Sequence, residues 1–556
     1  MVAAELFYLQ VMRGGYYYRL SQNNRTRVIP LEGWRGEIKD RTGQVLAGNR
    51  RAYDVVVIPQ DITQEGRVFD FLSRVSGRTK KALWRLYRRK KRTPFTPVVL
   101  LEDVPREQAI VIEENKYRFP GLFVQETFRR FYPLAKNSAH VLGYVGKISQ
   151  AKKERFKEYG YSPQSLVGYL GVEEYYDSYL TGEPGGIQVE VNSRGRQVRL
   201  VSLKEPTRGM DITLTIDARV QKVAMDLLEG RKGAVVVMDI RTGEVLAMVS
   251  APAYDPNVFV AAQAKKTAAR VLRDQQAPLL NRAIKGLFPP GSVFKVPVAL
   301  AGLDTKKIRP ETSFVCEKTY RLGGMAFGCT HRHGPQNLIE SLAHSCNIYY
   351  YHLGRILGPE VIRKYARMLG LGRLTHVDLP YEKAGWIPGP SGRFFRRQRR
   401  WYPGDTLNLS IGQGDVLATP LQLTRMMATV ANDGLEVHPH LIRAMGGEPW
   451  KEYSLKHAIK IDPRALRTVQ KGLRATVTDY AGTAYALDMR ELYVAGKTGT
   501  AQSSAGKEDH SWFVGYAKGE RRDVAFCVFL EHGGSSHNAV LLSRRLLLKL
   551  RKLEVL

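Results

Sequence analysis

Three short strings stand in one order along this chain: Ser292-Val293-Phe294-Lys295, then Ser345-Cys346-Asn347, then Lys497-Thr498-Gly499-Thr500. Each alone is weak. Ser and Lys three apart recur at Ser149/Lys152 and Ser504/Lys507, and Ser-x-Asn recurs at Ser21/Asn23 and Ser536/Asn538, whereas Lys-Thr-Gly occurs once. Together they constrain the fold, because they can share chemistry only if two helix starts and a strand are brought to one place. That chemistry is a serine attacking an amide or ester carbonyl with a lysine as its base.

The local text around each string suits that role. Pro289-Pro290-Gly291 breaks the chain just before Ser292, and Val293, Val296, Pro297 and Ala299 read as a buried helix. Ser292 is then expected at a helix N-terminus, where free N–H groups favour developing negative charge. Lys295 follows one turn later on the same face. It can take the serine proton only when neutral, which desolvation and a nearby cation such as Lys497 favour. Ser345 offers a hydroxyl for proton relay to a leaving amine, and Asn347 an amide to hold substrate backbone. Val494 to Thr500 reads as a strand. In it Gly499 allows close pairing with substrate, Lys497, Thr498 and Thr500 suit a substrate carboxylate, and the N–H groups of Ser292 and Thr500 make an oxyanion hole.

The surrounding pattern predicts an α+β fold. Asp211–Ile216 alternates as a strand, and Asp217 is a good N-cap for a helix holding Val220, Val223 and Leu227. Gly233–Asp239 and Val245–Val249, joined by a turn at Thr242-Gly243, read as a hairpin. Further strands near 493–501 and 512–530 predict an antiparallel sheet built from both ends of this region, with helices between. The expected layout is residues 1–20 as the remnant of a membrane anchor, an elongated β-rich pedestal over 21–208, and a catalytic domain over 209–556. Arg35–Ala47 reads as extended chain with a turn at Thr42-Gly43.

The formal net charge is +32, and the basic residues clump. One knot runs from Lys80-Lys81 through Arg85 to Arg88-Arg89-Lys90-Lys91-Arg92, another is Arg396-Arg397-Gln398-Arg399-Arg400. Such knots favour acidic phospholipid headgroups, anionic wall polymers or nucleic acid, or are solvated helix faces. No zinc finger, helix-turn-helix or aromatic-rich RNA signature accompanies them, so nucleic acid is discounted. No run of 18 or more apolar residues occurs. The opening from Ala3 to Met12 nevertheless reads as the end of an apolar helix, and Arg13 with Tyr16-Tyr17-Tyr18 resembles an interfacial belt.

Cys316, Cys329 and Cys346 cluster in sequence with His331 and His333 between them, while Cys527 stands alone in an apolar strand. Cys316, Cys329, His333 and Cys346 supply the ligand set of a closed tetrahedral structural zinc site. A Cys316–Cys329 disulfide, or free thiols, are the rival readings. His331 sits very close to Cys329, and His333-Gly334-Pro335 looks like a turn that presents a ring inward, so His333 is the preferred fourth ligand.

With these residues in view the chain resembles a class B penicillin-binding protein of the elongation type, the penicillin-binding protein 2 family of peptidoglycan D,D-transpeptidases. The three strings carry the resemblance. So do Arg35-Gly36, Asp40-Arg41, Gly43 and Leu46-Ala47, then Gly171-Val172-Glu173, Asn281-Arg282-Ala283-Ile284, Ile411-Gly412-Gln413-Gly414-Asp415, Thr419-Pro420-Leu421-Gln422 and Ser511–Tyr516. The resemblance implies a penicillin-binding transpeptidase fold behind a dimerisation-type pedestal. Its substrate is a stem peptide ending in D-Ala-D-Ala, which forms an acyl-enzyme on Ser292, and β-lactams acylate the same serine. It further implies a single-pass anchor in the cytoplasmic membrane with a periplasmic catalytic domain. The implied partners are a membrane-embedded SEDS-family glycosyltransferase and rod-shape scaffold proteins. Other readings are a D,D-carboxypeptidase, a sensor that binds stem peptide or β-lactam without turnover, and a serine β-lactamase; the last lacks a Glu-x-x-Leu-Asn signature and leaves the pedestal unexplained.

Overall fold

The computed structural model describes all residues except 1–4, 6, 17–25, 32, 95, 150–165, 192–196, 262–263, 391–399, 455–456 and 504–505. Most of the second basic knot, 396–399, therefore lies outside the described residues, as do Tyr17 and Tyr18 of the anchor reading. Tyr8–Met12 forms one π-helical turn. No helix among the described residues is long and apolar enough to cross a membrane.

The catalytic region is organised by a five-stranded sheet of Gly233–Asp239 (β1), Val245–Ala251 (β2), Tyr493–Ala501 (β3), His510–Lys518 (β4) and Asp523–Leu530 (β5). The order is β2-β1-β5-β4-β3, antiparallel throughout. The sheet is indeed drawn from both ends of the region, and the stretch over 512–530 holds two strands paired with each other. Every residue of β1 and β2 is buried. This continuous burial follows from layering. One face carries Val236, Met248, Val514 and Phe529 into the main core with helix Lys295–Asp304; the other carries Val235, Val249, Phe513 and Phe526 against helices Ala218–Leu227 and Ser536–Lys552. Asp217 caps its helix as expected, its carboxylate accepting from the Arg219 N–H at 3.0 Å.

The boundary near residue 209 is not a break in the structure. Ile212–Leu214 pairs in parallel with Ile38–Lys39 and antiparallel with Ile442–Met445. A seven-stranded sheet thus runs from the pedestal's Val45–Val57 hairpin partners into the catalytic region. The pedestal also carries helices: Glu65–Ser76, Lys80–Lys90 (α1) and Arg106–Glu114 cover one side of its sheet around Val55, Phe69, Leu72 and Tyr87.

A buried ionic network closes this junction. Glu173 is fully buried and accepts from Arg35 Nε at 2.7 Å and Arg130 Nε at 2.6 Å, while Asp177 accepts from Arg35 Nη2 at 2.6 Å. Just beyond, the Tyr176 hydroxyl donates to Asp378 Oδ2 at 2.9 Å. The other Asp378 oxygen accepts from the Leu441 N–H at 2.6 Å. The Tyr381 hydroxyl donates to Glu174 at 2.7 Å. The short helices at Gly171–Tyr175 and Asp177–Leu180 therefore grip the pedestal with one side and the catalytic region with the other. Neutralising Glu173 leaves the buried Arg130 with no carboxylate among the described residues and Arg35 with Asp177 alone. We expect Glu173→Gln to cost on the order of 3 kcal/mol in denaturant unfolding; a loss under about 1 kcal/mol would place the pair among weak surface bridges.

Candidate active site

Ser292 lies on a 3-10 turn, Gly291–Phe294, that runs directly into helix α2, Lys295–Asp304. Gly291 starts the turn at φ +55°, a left-handed conformation suited to glycine, and a Cβ there would meet the Thr500 carbonyl oxygen at 2.6 Å. The turn is held from three sides. The Gly291 N–H donates to the Gly412 carbonyl at 3.0 Å, and Trp512 Nε1 donates to the Pro289 carbonyl at 3.1 Å. A Cβ on Gly499 would lie 2.8 Å from the Pro290 carbonyl oxygen and 3.0 Å from Val293 Cγ2. Gly499, read from sequence as room for substrate, is thus required by the packing of the serine turn on β3.

Lys295 reaches from the first turn of α2 into the core and is fully buried. Its Nζ donates to the Ser345 carbonyl at 2.7 Å and to Asn347 Oδ1 at 2.7 Å, and lies 3.3 Å from Ser345 Oγ. It also stands 5.3 Å from the centroid of the buried Tyr350 ring. Among the described residues no carboxylate forms an ion pair with it. Burial pulls its pKa down to about 8, while the thiol groups of Cys329, Cys346 and Cys316 act weakly the other way.

Ser345 takes φ +56°, strained for a residue with a Cβ. The turn ends when Cys346 caps helix α3, Asn347–Leu357. Ser292, Ser345 and Asn347 are half-buried and reachable, whereas Lys295 is beneath them. Lys497 is also fully buried; burial, with Lys295 adding repulsion, holds its pKa well below that of a free lysine. It stands 3.4 Å from the carbonyl and hydroxyl oxygens of Thr498. Of the β3 residues, Thr500 alone is exposed beside the serine turn, while the Thr498 hydroxyl lies 2.7 Å from that of Thr483. β3 ends the sheet, so its outer edge is left unpaired by β4.

Several residues of this site carry no signal in the strings. Thr483 links the strand to the Ser345 segment, its N–H donating to the Ala343 carbonyl at 3.1 Å. Gln413 Nε2 donates to the Thr500 carbonyl at 3.3 Å. Tyr350 is found only by its helical spacing, one turn after Asn347.

Cys316, Cys329, His333 and Cys346 converge, with their ligand atoms within 4.8 Å of one another. His333 Nδ1 lies 3.4 Å from Cys316 Sγ and 3.6 Å from Cys329 Sγ. A tetrahedral zinc with such ligands sets S···N edges of roughly 3.5 Å. The residues fit the ion. All four cysteines of the chain are free thiols, and His331 turns only its carbonyl, 3.5 Å away, toward Cys316 Sγ. The Cys329 thiol is held down by hydrogen bonding from Cys346 and from the Asn347 N–H, which lies 3.2 Å from Sγ. The cluster is therefore wired directly to Asn347, whose Nδ2 also donates to the Gly328 carbonyl at 3.2 Å.

The fold and this convergence of serine, buried lysine and Lys-Thr-Gly strand define a serine acyl-transferase of the penicillin-binding class. Residues 233–547 match the penicillin binding protein transpeptidase domain and residues 30–214 the penicillin-binding protein dimerisation domain. The chain belongs to this family, on its penicillin-binding protein 2 branch. The peptidoglycan D,D-transpeptidase MrdA of Acinetobacter baumannii is 33% identical over 96% of this chain and 83% of its own. Among solved structures, the complex of penicillin-binding protein 2 with MreC from Helicobacter pylori superposes with a TM-score of 0.84 at 28% identity, over 96% of this chain and 99% of that one. A structure described as a peptidoglycan synthase complex coordinating polymerization and crosslinking gives 0.77 at 33% identity, over 99% and 95%.

Two substitutions probe the lysine. Lys295→Ala should slow acylation by penicillin ~10²–10⁴-fold while leaving unfolding cooperative; near-normal acylation would remove it as the base. Tyr350→Phe should keep the acylation rate and Tyr350→Leu lower it, since only the ring faces Nζ. Equal rates in both would show that the ring merely fills space.

Proposed function

We propose that this chain cross-links peptidoglycan stem peptides during cell elongation. The observation that carries this is the buried Lys295 amine, held between Ser345 and Asn347 one helical turn from Ser292. Ser292 Oγ attacks the carbonyl of the penultimate D-Ala and passes its proton to neutral Lys295. The oxyanion is held by the N–H groups of Ser292 and Thr500. The peptide C–N bond breaks as the departing D-Ala nitrogen receives the proton from Lys295 through the Ser345 hydroxyl. The resulting ester is attacked by an amine of a neighbouring stem peptide, which restores the serine hydroxyl. Substrate backbone adds along the open edge of β3, with the Thr498 and Thr500 hydroxyls near its carboxylate.

A structural zinc ion on Cys316, Cys329, His333 and Cys346 supports this site in our reading, and supplies cross-linking of loops rather than catalysis. Cys346 at the start of α3 and Cys329 beside the Asn347 N–H would help hold the ion, and that cross-link would keep Ser345 and Asn347 aimed at the cleft. We further assign the chain to the cytoplasmic membrane by a single-pass anchor, with the catalytic region periplasmic. Its partners there are a SEDS-family glycosyltransferase and a rod-shape scaffold protein. Support comes from its likeness, over nearly its full length, to structures described as a complex with MreC and as a peptidoglycan synthase complex.

Labelled penicillin should leave one adduct per chain, on the peptide containing Ser292, and none on Ser292→Ala; an adduct that persists in the variant would overturn the mechanism. Purified protein should hold about one zinc per chain. Chelation should lower the melting temperature and slow acylation together. Metal-free protein whose three clustered thiols react freely without denaturant would rule the ion out.

A further inference from the structure

The first basic knot has no part in the site above, and the structure turns it into an ordered surface. Helix α1 is N-capped by Thr79 and buries Leu83 and Tyr87 against the pedestal. Its opposite side exposes Lys81, Arg85, Arg88 and Arg89, spaced to fall along one face, with exposed Lys91 and Arg92 just past its end. None of these forms an ion pair among the described residues. The acids within reach are already engaged: Asp70 pairs with Lys80 at 2.7 Å, Glu102 with Lys90 at 2.8 Å, and Glu65 accepts from the Tyr87 hydroxyl at 3.1 Å. Arg88 is propped by the Trp84 ring, 5.3 Å from its centroid, and Lys91 by Tyr87 at 5.2 Å. The cations are thus fixed in a dense, unneutralised row.

We propose that this face of α1 docks on an anionic phospholipid surface. The inference rests on the reading of the chain as a membrane-associated enzyme. Charge complementarity argues for an anionic partner, and shape argues for a bilayer. The row is a convex helical ridge, so it offers no groove to track an extended acidic chain. Lipid headgroups diffuse laterally and gather under a fixed array of cations without matching its spacing. No large apolar side chain is exposed on α1 itself, so contact is electrostatic and reversible, unlike insertion.

The test is sedimentation of the full chain with vesicles of phosphatidylcholine containing about a third phosphatidylglycerol, beside pure phosphatidylcholine. Binding to the anionic vesicles should fall steeply with salt. The combined variant Lys81→Gln, Arg85→Gln, Arg88→Gln, Arg89→Gln should lose it, each change weakening it about fivefold. A matched variant on the C-terminal helix, Arg544→Gln, Arg545→Gln, Lys549→Gln, Lys552→Gln, should retain it. Equal loss in both variants would show net charge at work, and equal binding to pure phosphatidylcholine would show the apolar N-terminal residues at work; either overturns the proposal. So would binding to purified peptidoglycan that depends on α1 when vesicle binding does not. Acylation of Ser292 by labelled penicillin, followed in the same samples, should be unchanged in both variants. Its failure in the wild-type chain would indict the catalytic reading and leave the lipid result standing.

Discussion

The structure turns on one desolvated amine. Lys295 leaves the first turn of its helix and meets a backbone carbonyl and a side-chain carbonyl, both neutral, at hydrogen-bond distance. A carboxylate in either place would lock the lysine in its charged form. Two neutral acceptors position the amine and leave its proton negotiable, as a base requires. The same contacts explain why Ser345 tolerates a left-handed backbone: its carbonyl must face Lys295 while the chain turns to start α3. A second buried lysine, Lys497, is held well below a free lysine by its own burial, with Lys295 adding repulsion.

Around that amine, most of the construction serves to hold backbone rather than to touch substrate. Gly291, Gly412 and Gly499 lie where an added methyl would strike main-chain atoms of a neighbouring segment. The serine turn, the Ile411–Asp415 loop and the edge strand β3 can approach this closely only without side chains. Trp512 completes the cradle from the next strand. The cysteine–histidine cluster does similar work on the other side, since Cys329 accepts from the Asn347 N–H and Cys346 caps the helix that carries Asn347. The pedestal joins this scheme through shared strands and through the Tyr176–Asp378 and Tyr381–Glu174 hydrogen bonds, made from short helices that the Glu173 ion pairs hold in place.

Much of this was legible beforehand. The sheet strands are runs of apolar residues bounded by turns, and Asp217 and the Pro-Pro-Gly break signal helix starts through local chemistry. The order of the strings marked Ser292, Lys295, Ser345, Asn347 and Lys497, and spacing alone grouped Cys316, Cys329, His333 and Cys346. What the strings leave out is depth: a strand's residue types do not say which face is buried, so the burial of Lys497 and the packing of Gly499 on the serine turn come only with the fold. Thr483 and Tyr350 stand outside every string because each meets its partner far away in sequence, and Gln413 enters only as part of the Ile411–Asp415 string.

The sequence by itself thus determined the groups available: a serine, a lysine one turn away, a second serine with an asparagine, a strand and a cluster of three cysteines and a histidine, each set by local spacing and turn residues. Tertiary structure alone decided which of those groups are dry. Burial is a property of what packs against a residue, and the residues that bury Lys295 and Lys497 come from segments scattered along the chain. It is this desolvation, invisible in any single string, that lowers their proton affinity and makes a lysine usable as a base.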